Sequence, residues 1–203
     1  MASELARLTG FLYEQGLLKR YPRTGWHIVG VRGPESIADH SHRTAVIATV
    51  LAAMEGACPE RTALLALFHD SQETRLTDIP YLGKRYLTAA TNRQVTADQT
   101  DGIPRPVAEV VRGVVDEYEK RESPEALCAR DADKLECLLQ ALEYREQGHE
   151  NVQPWIDSSL AALQTSSAKA IADEALRTGS LEWVGRALGA GEPVREGPGR
   201  RKS

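Results

Sequence analysis

The chain has 203 residues, with 25 Lys and Arg against 29 Asp and Glu, 41% hydrophobic and 5% aromatic residues, a balance that excludes disordered, fibrous and membrane-embedded classes. A formal net charge of −4 supplies no broad cationic surface, which argues against binding nucleic-acid polymers while leaving room for a small phosphate pocket. At this length roughly 70% of the unfolded chain's surface is buried on folding, so a single core can form without staples.

Apolar residues recur at three- and four-residue spacing almost everywhere and β-branched alternation is scarce, which predicts an all-α fold. The first helix is expected to start after Ser3, with Leu5, Leu8 and Leu12 on one stripe, and to end before Pro22. Tyr21 to Ile37 reads as a long connection punctuated by Pro22, Gly25, Gly30, Gly33 and Pro34; such loops in a compact domain are often functional. A second helix is expected from about Asp39 to Glu55, and a third from Pro59 to about Glu73. The third has no polar face and should be central. After a loop through Asp78, Ile79 and Pro80, further helices are expected near Gly83 to Asp98, Pro106 to Lys120, Pro124 to Gln147, Pro154 to Leu163 and Ser167 to Leu188. Residues 1–188 thus read as one domain and 189–203, rich in Gly, Pro and charge, as a disordered tail. The N-terminus lacks an apolar signal core and the stretch Ala45 to Met54 is too short to span a bilayer, so a cytoplasmic location with no membrane partner is expected. Cys58, Cys128 and Cys137 form no Cys-x-x-Cys pair and are read as reduced.

His69 and Asp70 are adjacent and follow the apolar run Ala63 to Phe68. Two ionisable groups set against a core are costly unless compensated, and a divalent cation compensates both. His40 on the second helix and Asp133 on the long late helix are the natural further donors. His42 competes with His40, and Asp131 with Asp133, because in each pair only one residue can face inward. Glu73, three residues after Asp70, projects toward the position of a metal-bound water, and Asp78 stands at the mouth of the same site.

Four separated segments carry a resemblance: Glu35-Ser36-Ile37-Ala38-Asp39-His40-Ser41, Phe68-His69-Asp70-Ser71-Gln72-Glu73, Thr77-Asp78-Ile79-Pro80 and Asp131-Ala132-Asp133-Lys134-Leu135-Glu136. Together they resemble the HD-domain metal-dependent phosphohydrolases, and among these the small 5′-deoxynucleotidase branch, over roughly Leu17 to Tyr144. The resemblance implies a helical HD-domain bundle with His40, His69, Asp70 and Asp133 as metal ligands. It selects His40 over His42 and Asp133 over Asp131. Glu73 would orient or deprotonate the attacking water, Asp78 would contact substrate, and Trp26 would lie beside the nucleotide sugar. The implied ions are manganese or cobalt, with magnesium in some members, and a second, weaker cation near Glu73 and Asp78 in others. The implied substrate is a nucleoside 5′-monophosphate, and many members are homodimers. One departure stands out: Gly25 occupies the place directly before Trp26 where bacterial members carry a phosphate-binding Arg, so Arg23, Arg43 and Lys84 become the candidates for phosphate contacts. Rival readings are a di- or triphosphate hydrolase and a degenerate, regulatory nucleotide-binding module. Loss of catalysis should have removed a ligand or Glu73, and all are present. No histidine lies between Ser71 and Ala132, which disfavours a di-iron oxygenase.

Overall fold

The computed structural model describes residues 3–189, and among them every regular element is helical; the one β-type pairing is an isolated antiparallel bridge between Pro22 and Ser36. Helix α1 (Glu4–Gln15) starts at Ser3, whose hydroxyl accepts the Ala6 amide at 3.2 Å, and runs into a 3₁₀ turn over Gly16–Lys19. Its inward stripe is not the expected one. Leu5 and Leu12 are 69% and 62% exposed, and Phe11, with Leu8 beside it, packs on Ile103, Ala108 and Val111. Two anchors turn the helix this way: Phe11 in that small cluster, and Glu14, which pairs with Arg75 at 2.7 Å.

Helix α2 (Ile37–Glu55) begins at a capping box in which Ser36 and Asp39 satisfy each other's amides. It buries Ile37, His40, Ser41, Thr44, Ala48, Leu51 and Ala52, a stripe at three- and four-residue steps that places one histidine in an otherwise small or apolar series. Helix α3 (Pro59–Phe68) has Pro at its first position and packs against α2, α7 (Arg105–Lys120) and α8 (Pro124–Glu146), which makes it central as expected. Helix α8 also touches α9 (Gln153–Ala162) and α10 (Ser166–Ala175). Leu51, Leu65, Val114, Leu135 and Leu138 have no exposed surface at this junction, and each such side chain contributes about 1.5–3 kcal/mol of burial.

Three expected helices are broken. The third stops at Phe68: the chain passes through short turns, Ser71 N–H to Phe68 O and Glu73 N–H to Asp70 O, before the brief α4 (Glu73–Leu76). The predicted Gly83 to Asp98 helix is two pieces, α5 (Tyr81–Lys84) and α6 (Asn92–Gln99). Thr91 starts α6 with a capping box to Gln94, and the intervening Leu87 has no core to pack on, being 57% exposed. The predicted Ser167 to Leu188 helix ends at Ala175 and resumes as α11 (Glu182–Ala187), where Glu146 and Glu182 accept the amides of Ser180 and Gly179 and so fix the turn between. The expected tail falls, apart from Gly189, outside the described residues. No helix among the described residues is long and apolar enough to cross a membrane.

Candidate metal centre and active site

Three elements bring four donors together: His40 from α2, His69 and Asp70 from the turn after α3, and Asp133 from α8. The two imidazole Nε2 atoms are 3.3 Å apart. Asp70 Oδ2 stands 3.1 Å from His69 Nε2 and 3.7 Å from that of His40, and Asp133 Oδ1 3.4 Å from His40 Nε2. The other ring nitrogens are already engaged. His69 Nδ1 donates to the Ala66 carbonyl at 2.6 Å and His40 Nδ1 to the Glu136 carboxylate. Both Nε2 atoms therefore face each other and the two carboxylates, an arrangement that needs a positive charge between them, which a proton or a cation can supply. Two imidazoles and two carboxylates with tautomers fixed from behind fit a divalent cation.

The surroundings hold these charges in place. Burial and the Arg23 guanidinium both lower the pKa of His40, yet Glu136 and Asp133 outweigh them and push it up to about 10. Burial works against ionisation of Asp70, but His69 and Arg23 keep its carboxyl well below the usual range; Arg23 Nη1 lies 3.2 Å from Asp70 Oδ2. Burial opposes ionisation of Asp133 too, and Lys134, with Nζ 2.8 Å away, prevails with the help of His40 and His69. Behind His40, Glu136 accepts Arg43 Nε at 2.9 Å, and the same guanidinium reaches Gln140 at 2.8 Å and Glu143 at 2.7 Å.

Glu73 sits beside the cluster with its Oε2 buried and without a partner among the described residues. Burial, then repulsion from Asp70 and Asp78, pushes its pKa up to about 9 against the pull of Arg23 and Lys84. Asp78 follows Thr77, a β-branched residue held at φ 60°, a costly conformation that tends to mark functional loops. The Asp78 carboxylate accepts the amide of Thr24 at 2.5 Å and its hydroxyl at 3.1 Å, so it clamps the 3₁₀ segment Thr24–Val29. A cavity of about 670 Å³ opens from Asp70, Glu73 and Asp133 onto Trp26, Trp155 and Ile28, a size suited to a small organic ligand. A second space, of about 200 Å³, is lined by Glu73, Gln72, Lys84 and Asn92.

The HD-domain family model matches residues 15–175 of this sequence. The chain belongs to the HD-domain family. It is similar to the human 5′-deoxynucleotidase HDDC2, 34% identical over 160 residues that cover 75% of this chain and 76% of the relative. Among solved structures it is similar to a conserved hypothetical protein from Pyrococcus furiosus, with 30% identity and a TM-score of 0.68 over 84% of this chain and 99% of that one. It is also similar to a predicted metal-dependent phosphohydrolase from Magnetospirillum magnetotacticum, with 27% identity and a TM-score of 0.64 over 86% and 94% of the two chains.

Within this HD domain the ambiguous pairs take separate positions. His42 is exposed on the outer side of α2. Asp131 turns away from the cluster and accepts the amides of Gln164 and Thr165 and the Thr165 hydroxyl, at 3.0, 2.7 and 2.7 Å, closing the entry to α10. Of the phosphate candidates, Arg23 and Lys84 line the larger cavity, whereas Arg43 does not. Its guanidinium is spent on Glu136, Gln140 and Glu143 on the far side of His40, so the structure does not bring Arg43 to the cavity as the expected phosphate contact. Trp26 is both a core residue and a cavity wall: it is 2% exposed, and its Nε1 donates to Glu35 at 2.9 Å. His27 meets the Val31 carbonyl, and His149 lies half-buried, edge-on to Tyr144. Sequence reasoning gives no role to Glu136, Lys134 or Trp155. For Glu136 a signal exists, since it lies three residues after Asp133 and so shares its face. Nothing local marks Trp155.

Proposed function

We propose that this chain is a metal-dependent phosphohydrolase that releases phosphate from nucleoside 5′-monophosphates, deoxynucleotides among them. His40, His69, Asp70 and Asp133 would hold the cation, manganese or cobalt in preference and magnesium as a weaker substitute, a donor set of mixed imidazole and carboxylate suited to these ions. The facing Nε2 atoms, 3.3 Å apart and each fixed by a hydrogen bond from the opposite nitrogen, are the observation that carries this reading. A bound cation would polarise a phosphoryl oxygen and lower the pKa of water at that point.

The chain's own residues supply the rest. Glu73 is kept neutral by its burial and by the negative charge of Asp70 and Asp78, and once that charge is neutralised it can ionise and take a proton. A water oxygen bonds to phosphorus as the P–O5′ bond breaks; Glu73 takes the water's proton, and the nucleoside oxygen leaves with a proton from solvent. Arg23 pairs with Asp70 and lines the cavity, where its guanidinium can also reach a phosphate oxygen. Lys134 and Lys84 line the same cavity and add positive charge there, while Asp78 fixes the loop that carries Trp26.

Incubating the manganese-loaded protein with nucleoside mono-, di- and triphosphates and separating phosphate from pyrophosphate tests the reading. Phosphate from monophosphates is the expected product; turnover confined to triphosphates, or none with the cation bound, overturns it.

A further inference from the structure

The larger cavity has two kinds of wall. Its charged members Arg23, Asp70, Asp133 and Lys134 are linked to one another and to the histidine pair by contacts of 2.8 to 3.4 Å, the region a phosphate must occupy. Away from that group the lining includes Ile28, Pro154 and the indole of Trp155. Trp155 belongs to the first turn of α9 and lies across Trp26, with ring centroids 5.8 Å apart and planes 27° from parallel. Trp26 is itself fixed by its bond to Glu35 and by the edge of Tyr144 at 5.1 Å. One indole is thus a rigid backing, and the other is half-buried and open to the cavity.

Gly25 accounts for how that indole stays open. A Cβ at this position would stand 3.5 Å from Nε1 of Trp155 and 3.9 Å from its Cζ2. Gly25 is absent from the glycines with positive φ, so the backbone does not require glycine here. What the missing side chain provides is an uncovered edge of Trp155 in the cavity that both residues line.

We infer that Gly25 and Trp155 form a nucleobase-binding subsite, in which the base stacks on Trp155, so that the enzyme prefers phosphates attached to an aromatic base over bare sugar phosphates. This rests on the nucleotidase reading above. A planar apolar group joined to a phosphate through one sugar is what a cavity with a charged wall and an indole wall accommodates. Stacking uses the face of the base, which every base has, so it rewards the presence and area of a base.

The test compares kcat/KM for deoxyadenosine 5′-monophosphate with that for 2-deoxyribose 5-phosphate, which lacks the base, in the manganese-loaded wild type and in Trp155→Ala, Trp155→Phe and Gly25→Val. The ratio of the two is expected to fall about tenfold in Trp155→Ala, the size of one base–aromatic stack, and to fall through a raised KM in Gly25→Val. Trp155→Phe should retain most of it. General damage to the site would lower both substrates together and leave the ratio unchanged, and Gly25→Val keeps the test decisive if Trp155→Ala does not fold. An unchanged ratio in Gly25→Val, with deoxynucleotide turnover intact in the wild type, overturns the subsite alone. A wild type that releases phosphate from no nucleotide overturns the nucleotidase reading itself.

Discussion

The two sides of the site are built differently. On the ligand side, His40, His69 and Glu136 are buried on α2, the end of α3 and α8, with Asp133 at the edge of the same packing, each held by further hydrogen bonds. On the other side, Lys84 stands on the exposed stretch that follows the clamped Asp78 and carries Tyr81 and Tyr86 at 86% and 78% exposure. The contrast separates two tasks. Holding a cation needs donors fixed to within a fraction of an ångström, which only packed helices supply; admitting and releasing a substrate needs a wall that opens at low cost.

Substitutions on the two sides should therefore fail in different ways. The largest effect is expected at the junction: Glu73→Gln should lower kcat by about 10²- to 10⁴-fold, the range for loss of a proton acceptor, while metal content by elemental analysis stays at the wild-type level. Full turnover in that variant would remove Glu73 from the chemistry. Next, on the rigid side, Glu136→Gln should weaken cation affinity by about 10- to 100-fold, because the imidazole of His40 loses the charged partner that orients it; a metal titration reads this directly.

Third comes a pH effect on stability. Burial and then Glu136 raise the pKa of Glu35 to about 7, above the unfolded value near 4.5. The folded state therefore binds the proton more tightly: the stabilisation is complete below about pH 4.5 and is lost as pH rises through 7, by at most about 3 kcal/mol. Glu35→Gln, which keeps an acceptor for Trp26, should lack this contribution, so its denaturation midpoint should gain on the wild type between pH 5 and 8. A constant difference across that range would contradict the assignment. The smallest effect is expected on the open side: Lys84→Ala should raise KM a few-fold at low salt with kcat and cation affinity unchanged, as for an exposed charge.

What can be read from the sequence follows the same division. The ligand side is legible because a charged or imidazole side chain inside an apolar stripe at helical spacing is costly to bury without something to bind, and three such segments occur in order. The choice between His40 and His42 or Asp131 and Asp133 is not settled by spacing, since either member could face inward; the family resemblance makes that choice. Asp131 has its own partners at Gln164 and Thr165, far along the chain and invisible locally. Phe11, not Leu5 or Leu12, sets the face of α1 because the receiving surface belongs to Ile103, Ala108 and Val111. The breaks after Phe68 and before Thr91 are hidden for a related reason. Periodicity continues across them, and only the short turns at Ser71 and Glu73 and the cap at Thr91 interrupt the backbone. Arg43 is misplaced by sequence reasoning because a basic residue near a ligand histidine looks the same whether it faces the cavity or, as here, supports Glu136 from behind.

Asp131 and Asp133 give α8 an unusual intolerance. Two residues apart, they are about 200° apart around the helix, one seaming the entry to α10 and the other entering the cluster of donors. Gaining or losing one residue just upstream of them along that rod would rotate both at once, unfastening α10 in the same stroke that emptied the donor set. Length variation in this family member should accordingly accumulate in its loops, where a change of count costs neither closure nor chemistry.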